Sequence, residues 1–169
     1  LATIHGYSRL MDPQALPAAY RPYVEAVRQE TESLGRIVTN FLNFARPEQV
    51  AMVPVDLAGL VESAVEEVAH EVPQAQLGVR GEFGTIEGDE VLLRQMIVNL
   101  VRNAVEASDG KGVPSVLVEG RVDRSDGTCR FLVDDNGPGI DPSVGDRVFR
   151  PFFTTKAQGT GLGLAIVQK

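Results

Sequence analysis

The chain of 169 residues is poor in cysteine and in positive charge, and it has no long apolar run. One cysteine, Cys129, excludes an internal disulfide and a cysteine-based metal site; set in an apolar, strand-like run, it reads as a small packed hydrophobe, and such usage suits a reducing cytoplasm. The 16 Lys and Arg are outnumbered by 23 Asp and Glu, a formal net charge of −7, and no basic cluster offsets it. A partner held by backbone phosphates needs a basic face, so nucleic acid is excluded, whereas one chelated nucleotide needs only a few local cations and a metal. No apolar run approaches the roughly 18 residues of a membrane span and no signal-peptide pattern opens the chain, so any membrane anchor is expected outside this segment. No internal repeat or low-complexity tract is present either. What remains, 43% hydrophobic and 23% charged, is an ordinary globular composition, enough for one substantial domain and a smaller one.

The first part of the chain carries a helical period. Between residues 23 and 46, Val27, Thr31, Leu34, Val38, Phe41 and Ala45 recur at spacings of four and three, a heptad seam widened by Ile37, Leu42 and Phe44. Residues 1–11 read as the tail of another helix, and Asp12, Pro13 and Pro17 break the two apart, giving an antiparallel hairpin. Two helices, one so short, do not bury that stripe by themselves, and a second copy pairing into a four-helix bundle is the simplest cover. Pro47 stops the helix, and residues 47–55 read as a linker between the hairpin (1–46) and a second domain (56–169).

That second domain reads as α+β. Asp56 can cap a helix to about His70 with Leu57, Leu60, Val61, Ala64, Val65 and Val68 on one face. Gln76 to Phe83 is strand-like, and Asp89 heads a regular helix whose core face is Leu93, Ile97, Leu100, Val101 and Ala104. Alternation over Ser115 to Asp123 and Thr128 to Asp135 predicts two antiparallel strands joined through Ser125, Asp126 and Gly127.

Three stretches carry the chemistry. On the Asp89 helix, Gln95, Asn99, Asn103 and Glu106 are spaced by four, four and three, one stripe of side-chain oxygens. Asparagine is a poor helix-interior residue, so two at i and i+4 need a reason beyond a solvated face. Neutral amide oxygens suit Mg²⁺, which commonly takes one or two protein oxygens and completes its shell with phosphate and water. The DDNGPGI stretch, 134–140, follows a strand; by itself it marks a turn, but Asp135 stands where it can accept from an exocyclic amine, and Gly137 and Gly139 allow close approach of a flat ring. In GTGLGLA, 159–165, glycines open a helix whose amides can reach phosphate oxygens. Neither a Rossmann fingerprint nor a GxxxxGK[ST] loop fits, since Leu164 and Ile166 fill the place of the third Rossmann glycine. Between these stretches, residues 141–158 hold VFRPFFTTK, with Phe149, Phe152 and Phe153 clustered before Lys156, the makings of a lid.

In this order the elements resemble the kinase core of bacterial sensor histidine kinases, whose ATP fold is shared with type II topoisomerases, Hsp90 chaperones and MutL-like repair proteins. The Asn99 helix matches that family's N box, DDNGPGI its G1 box, VFRPFF its F box and GTGLGLA its G2 box. The resemblance implies ATP and Mg²⁺ as cofactors, an α/β sandwich behind a dimeric helical hairpin, and a set of roles. Asn103 would be the Mg²⁺ ligand, Asn99 a polar contact to metal or phosphate, and Asp135 the adenine acceptor. Gly137 and Gly139 would shape the base pocket, and Gly159, Thr160, Gly161, Leu162 and Gly163 the phosphate side. Hydrolytic relatives usually carry a glutamate at the position of Asn99, so the amide implies phosphoryl transfer to a protein. Where many members have a lysine three residues after the second Asn, this chain has Glu106, a variant similar to the nitrogen-regulation subgroup with its FFTTK lid; Lys156 is then the compensating phosphate contact.

The hairpin matches the family's dimerisation and phosphoacceptor domain, which implies a homodimer and a response-regulator receiver domain as partner. The acceptor histidine lies in a motif like HExRNPL whose final Leu would be Leu1, so the acceptor and its acidic neighbour are expected upstream, and more of the last helix and sheet beyond Lys169. His5 falls about ten residues past the acceptor position and is expected to be an ordinary bundle histidine, leaving this segment able to bind ATP but not to phosphorylate itself. The competing expectations are an ATP-hydrolysing clamp of the same superfamily and a dimerisation module without nucleotide.

Overall fold

The computed structural model describes residues 4, 6–7, 10–45, 51–108, 112–156 and 159–168. His5 lies outside them. Ile4, Gly6, Tyr7 and Leu10 are helical, and two 3-10 turns, Pro13–Ala15 and Ala18–Tyr20, lead into helix α1, Arg21–Ala45. Pro22 stands in the first turn, where a missing N–H leaves no helical bond unmade. The chain doubles back because Asp12 Oδ1 accepts from the Gln14 N–H at 2.9 Å while Arg28 Nη2 donates to the Met11 carbonyl at 2.5 Å. Thr31 is buried in this hairpin, its hydroxyl bonded back to the Val27 carbonyl at 2.6 Å. Val27, Leu34, Ile37 and Val38 stay 39–50% exposed, so this part of the seam expected from the heptad pattern is left open among the described residues.

Residues 47–50 of the expected linker lie outside the described residues, and at its far end Val53–Asp56 forms strand β1. It pairs antiparallel with β3, Thr85–Gly88, with Val53 opposite Gly88 and Asp56 opposite Thr85. Pro54 is tolerated because this ribbon is only two strands wide and a ring without an N–H can face its open edge. Both strands are four residues long, too short to show alternation in the sequence.

Helix α2, Leu57–Glu71, starts where Asp56 caps it, the carboxylate accepting from the Ala58 N–H at 3.2 Å. Its six expected face residues, Leu57, Leu60, Val61, Ala64, Val65 and Val68, are all buried. Helix α3, Glu90–Ser108, is capped by Asp89, whose Oδ1 accepts from Val91 and Leu92 at 3.0 and 3.1 Å. The two helices lie on one face of a mixed sheet ordered β2-β4-β5, where β2 is Gln76–Gly81, β4 Ser115–Asp123 and β5 Thr128–Asp135. β2 runs parallel to β4, as a crossover through α3 requires, and β4 meets β5 antiparallel with Val118 opposite Val133. Val61, Val68, Ile97, Val101 and Val118 are almost wholly buried between the layers. At about 1.5–3 kcal/mol for each such side chain, this core, to which no described residue of the hairpin contributes, stabilises the second part of the chain. Helix α4, Gly163–Gln168, packs on α3. No helix among the described residues is long and apolar enough to cross a membrane.

Candidate functional site

The stripe on α3 is the centre of the site. Asn99 is buried although it is polar, and its Nδ2 has no hydrogen-bond partner, the one such side-chain atom among the described residues. An orphaned amide costs about 1–3 kcal/mol, so the fold tolerates a defect that a ligand oxygen would repair. Asn103 lies one turn on, half-buried, with Glu106 exposed beyond it.

Helix α4 begins directly over these amides. A Cβ at Gly163 would stand 3.4 Å from Asn103 Nδ2 and 3.9 Å from Asn99 Oδ1, so the glycine brings backbone against the stripe without filling it. Leu162 is buried with its side chain in the core, which leaves only its backbone to face a ligand; its N–H is already bonded to Thr160 Oγ1 at 3.3 Å. Gly161 has φ +65° and meets Phe152, itself at φ +66°, through a Phe152 N–H to Gly161 carbonyl bond of 2.8 Å. Any Cβ at Gly161 would strike the Phe152 carbonyl carbon and come within 2.6 Å of Phe153 N. Gly159 is held the same way by Thr154 and Lys156.

The DDNGPGI turn reaches the same side from β5. Asp135 Oδ1 accepts from the Gly137 N–H at 2.8 Å, and the other carboxylate oxygen makes no hydrogen bond among the described residues. A Cβ at Gly137 would stand 2.9 Å from the Ala107 carbonyl, which seats the turn on the end of α3 and sets Asp135 beside the stripe. Gly139, at φ +76°, has no atom within 4 Å of where a Cβ would be: its requirement is backbone conformation, and no neighbour presses on it. Asn136, which sequence reasoning passed over, anchors the turn: its Oδ1 accepts from Ser115 N at 3.0 Å and its Nδ2 donates to the Val113 carbonyl at 3.1 Å. An asparagine followed by glycine in a turn gave no separate signal of this.

The lid starts where Asp141 accepts from the Ser143 N–H at 2.8 Å, bonds that hold its carboxyl below the usual aspartate range, and continues through a 3-10 turn at Gly145–Phe149. Its aromatics do not close into a cluster: Phe149 and Phe152 are exposed, and Phe153 lies under the Arg147 guanidinium at 4.6 Å. Its end is fixed to α3. Lys156 Nζ stands 2.5 Å from Glu106 Oε2 and 3.4 Å from Asn103 Oδ1. Residues 157–158 lie outside the described residues.

The structure thus brings Asn99, Asn103, Lys156 and Gly163 together, with Gly137 seated on Ala107 at the C-terminal end of the same helix. Gln95 is one turn further back and half-buried. Among the described residues no group of three or more His, Cys, Asp or Glu is arranged to hold a metal by itself. A cation here would share its shell between the Asn99 and Asn103 amide oxygens and oxygens that arrive with a ligand, the division of ligands that suits Mg²⁺.

Residues 88–169 match the family described as histidine kinase-, DNA gyrase B- and HSP90-like ATPase. The whole chain is 34% identical to the signal transduction histidine-protein kinase AtoS of Escherichia coli (strain K12), over 173 residues that make up 28% of that protein. Among solved structures it is similar to the mycobacterial sensor histidine kinase MprB, at 30% identity and TM-score 0.62 over 69% of this chain and 76% of that one. It is also similar to full-length ShkA, solved in complex with AMPPNP, at 33% identity and TM-score 0.75 over 98% of this chain and 36% of ShkA. The chain therefore spans only about a quarter of the length of AtoS, and with that extent of likeness it belongs to the sensor histidine kinase family.

Proposed function

We propose that this segment binds Mg·ATP between the α3 stripe, the 134–140 turn and the lid. In the whole protein it would serve a protein-histidine kinase that passes the γ-phosphoryl to a histidine and then to a response-regulator aspartate. The observation that carries the proposal is the buried, unpartnered amide of Asn99, aligned with Asn103 and met at Gly163 by backbone without a side chain. Asn103 and Asn99 would hold the magnesium and phosphate oxygens, and bound magnesium supplies charge neutralisation and orientation of the phosphates. Asp135, with one oxygen committed to Gly137, would use the other to accept from the adenine amine. Gly137 and Gly139 would shape the base pocket around it. Lys156 adds a cation that a hinged lid can carry to the phosphates, and Gly159 through Gly163 keep side chains away from that path. An amide instead of a carboxylate at position 99 leaves no group there to activate water, which favours transfer over hydrolysis. The uncovered seam of α1 is suited to a second copy, and residues 1–46, joined at about 47–55, would be that dimerising part. A nucleoside triphosphate substrate fits work in the cytoplasm.

Titration calorimetry tests the reading. Mg·ATP binds the native chain, and Asp135→Asn and Asn103→Asp each weaken it about 10-fold or more, the weight of one charge-assisted hydrogen bond, while far-ultraviolet circular dichroism stays unchanged. Unaltered affinity in both variants overturns the assignment.

A further inference from the structure

The contact between Glu106 and the lid lysine goes beyond the role given to Lys156 above and rests on that reading. The Lys156 side chain turns onto α3. Its ammonium lies 2.5 Å from Glu106 Oε2 and 3.4 Å from Asn103 Oδ1, so it occupies the lone-pair side of the amide assigned to the metal. A second anchor holds the other end of the same short segment, where Phe152 at φ +66° donates to Gly161 at φ +65°. Residues 152–156 are thus pinned at both ends, on α3 and on the loop before α4.

We propose that Glu106 is a positioning residue: it latches the lid on α3 in the nucleotide-free chain, parks the Lys156 charge at Asn103, and releases it when Mg·ATP arrives. An ammonium and a divalent cation on one amide oxygen repel each other, so the latch and the loaded site exclude each other. Opening is cheap, because both side chains are largely wet, 40% exposed for Lys156 and 46% for Glu106, and a screened pair of this kind is weak. The lysine so freed stays within lid reach of the incoming phosphates. Glu106 therefore delays binding slightly while keeping the lid from wandering.

The test combines hydrogen exchange of the nucleotide-free chain with calorimetry of Mg·ATP. Glu106→Gln speeds exchange over residues 150–156 without changing α2, and tightens Mg·ATP roughly two- to fivefold, the weight of the lost competitor. Lys156→Gln speeds the same exchange but weakens Mg·ATP. The double exchange Glu106→Lys with Lys156→Glu restores lid protection toward the native level, which a merely structural role of either residue would not do. Unchanged lid exchange in Glu106→Gln, or an affinity that falls instead of rising, overturns the latch. If the native chain binds no Mg·ATP, the proposed function fails and the exchange measurements alone judge the latch.

Discussion

Replacing Asn99 by leucine should stabilise the fold while destroying its use. The Asn99 Nδ2 is buried without a partner, a defect worth about 1–3 kcal/mol. Leucine has the same heavy-atom branching, with bulkier methyl ends, but no amide to leave unsatisfied. Imperfect fit of its methyls against Gly163, whose added Cβ would lie only 3.9 Å from Asn99 Oδ1, takes back part of that gain. A net gain of about 1 kcal/mol is expected, which for a chain of this size raises the Tm by roughly 2–4 °C. Differential scanning fluorimetry reads this directly. The same scan with Mg·ATP at 100 times its Kd should add about 2.7 kcal/mol of apparent stability to the native chain and nothing to Asn99→Leu. A variant that melts several degrees lower would mean that the amide is already paired in the free protein. A variant that keeps its response to Mg·ATP would remove Asn99 from the site.

Other perturbations reach other parts of the account. Gly161→Ala forces a side chain into left-handed backbone, about 1–2 kcal/mol, and against Phe152; limited proteolysis should show faster cutting between residues 145 and 156 with the 53–135 core intact. Gly137→Ala drives a methyl toward the Ala107 carbonyl and Asp135, so adenine nucleotide affinity should fall in calorimetry while α1 is unaffected. Val27→Asp with Leu34→Asp places charge on the uncovered seam and should convert a dimer to monomers in analytical ultracentrifugation, with the second part still folded. Asp123 and Asp126 are held below the ordinary aspartate range by bonds from Ser125 and Thr128. Folding lowers their pKa, so their support of the β4–β5 turn is whole above about pH 3.9 and is lost as pH falls through the folded value. Exchange of the Ser125 and Thr128 amides, corrected for intrinsic rates, should quicken on acidification below that point and not on alkalinisation.

Local signals made much of the fold legible. Asp56 and Asp89 announce their helices because a capping carboxylate needs only its own neighbours, and the six buried positions of α2 follow from one 3.6-residue period. The β4–β5 hairpin shows as alternation on both sides of an Asp-Gly turn. β1 and β3 were not legible, since four residues carry two alternations at most and Pro54 argues against a strand unless the edge is open. For the site, the spacing of Asn99, Asn103 and Glu106 put them on one stripe, but not the burial of Asn99, which depends on α4 arriving over it. The pairing of Glu106 with Lys156 spans 50 residues and leaves no local mark. Sequence distance hid it.

The central claim is that four separated motifs form one nucleotide site, and backbone amide NMR of the nucleotide-free chain titrated with Mg·AMPPNP tests it most directly. The account predicts shifts confined to residues 95–107, 134–140, 150–156 and 159–164, saturating together with one Kd, with the exposed seam of α1 unmoved. Shifts elsewhere only, as on the Arg121 and Arg130 strands, or groups of residues saturating at different concentrations, would contradict it.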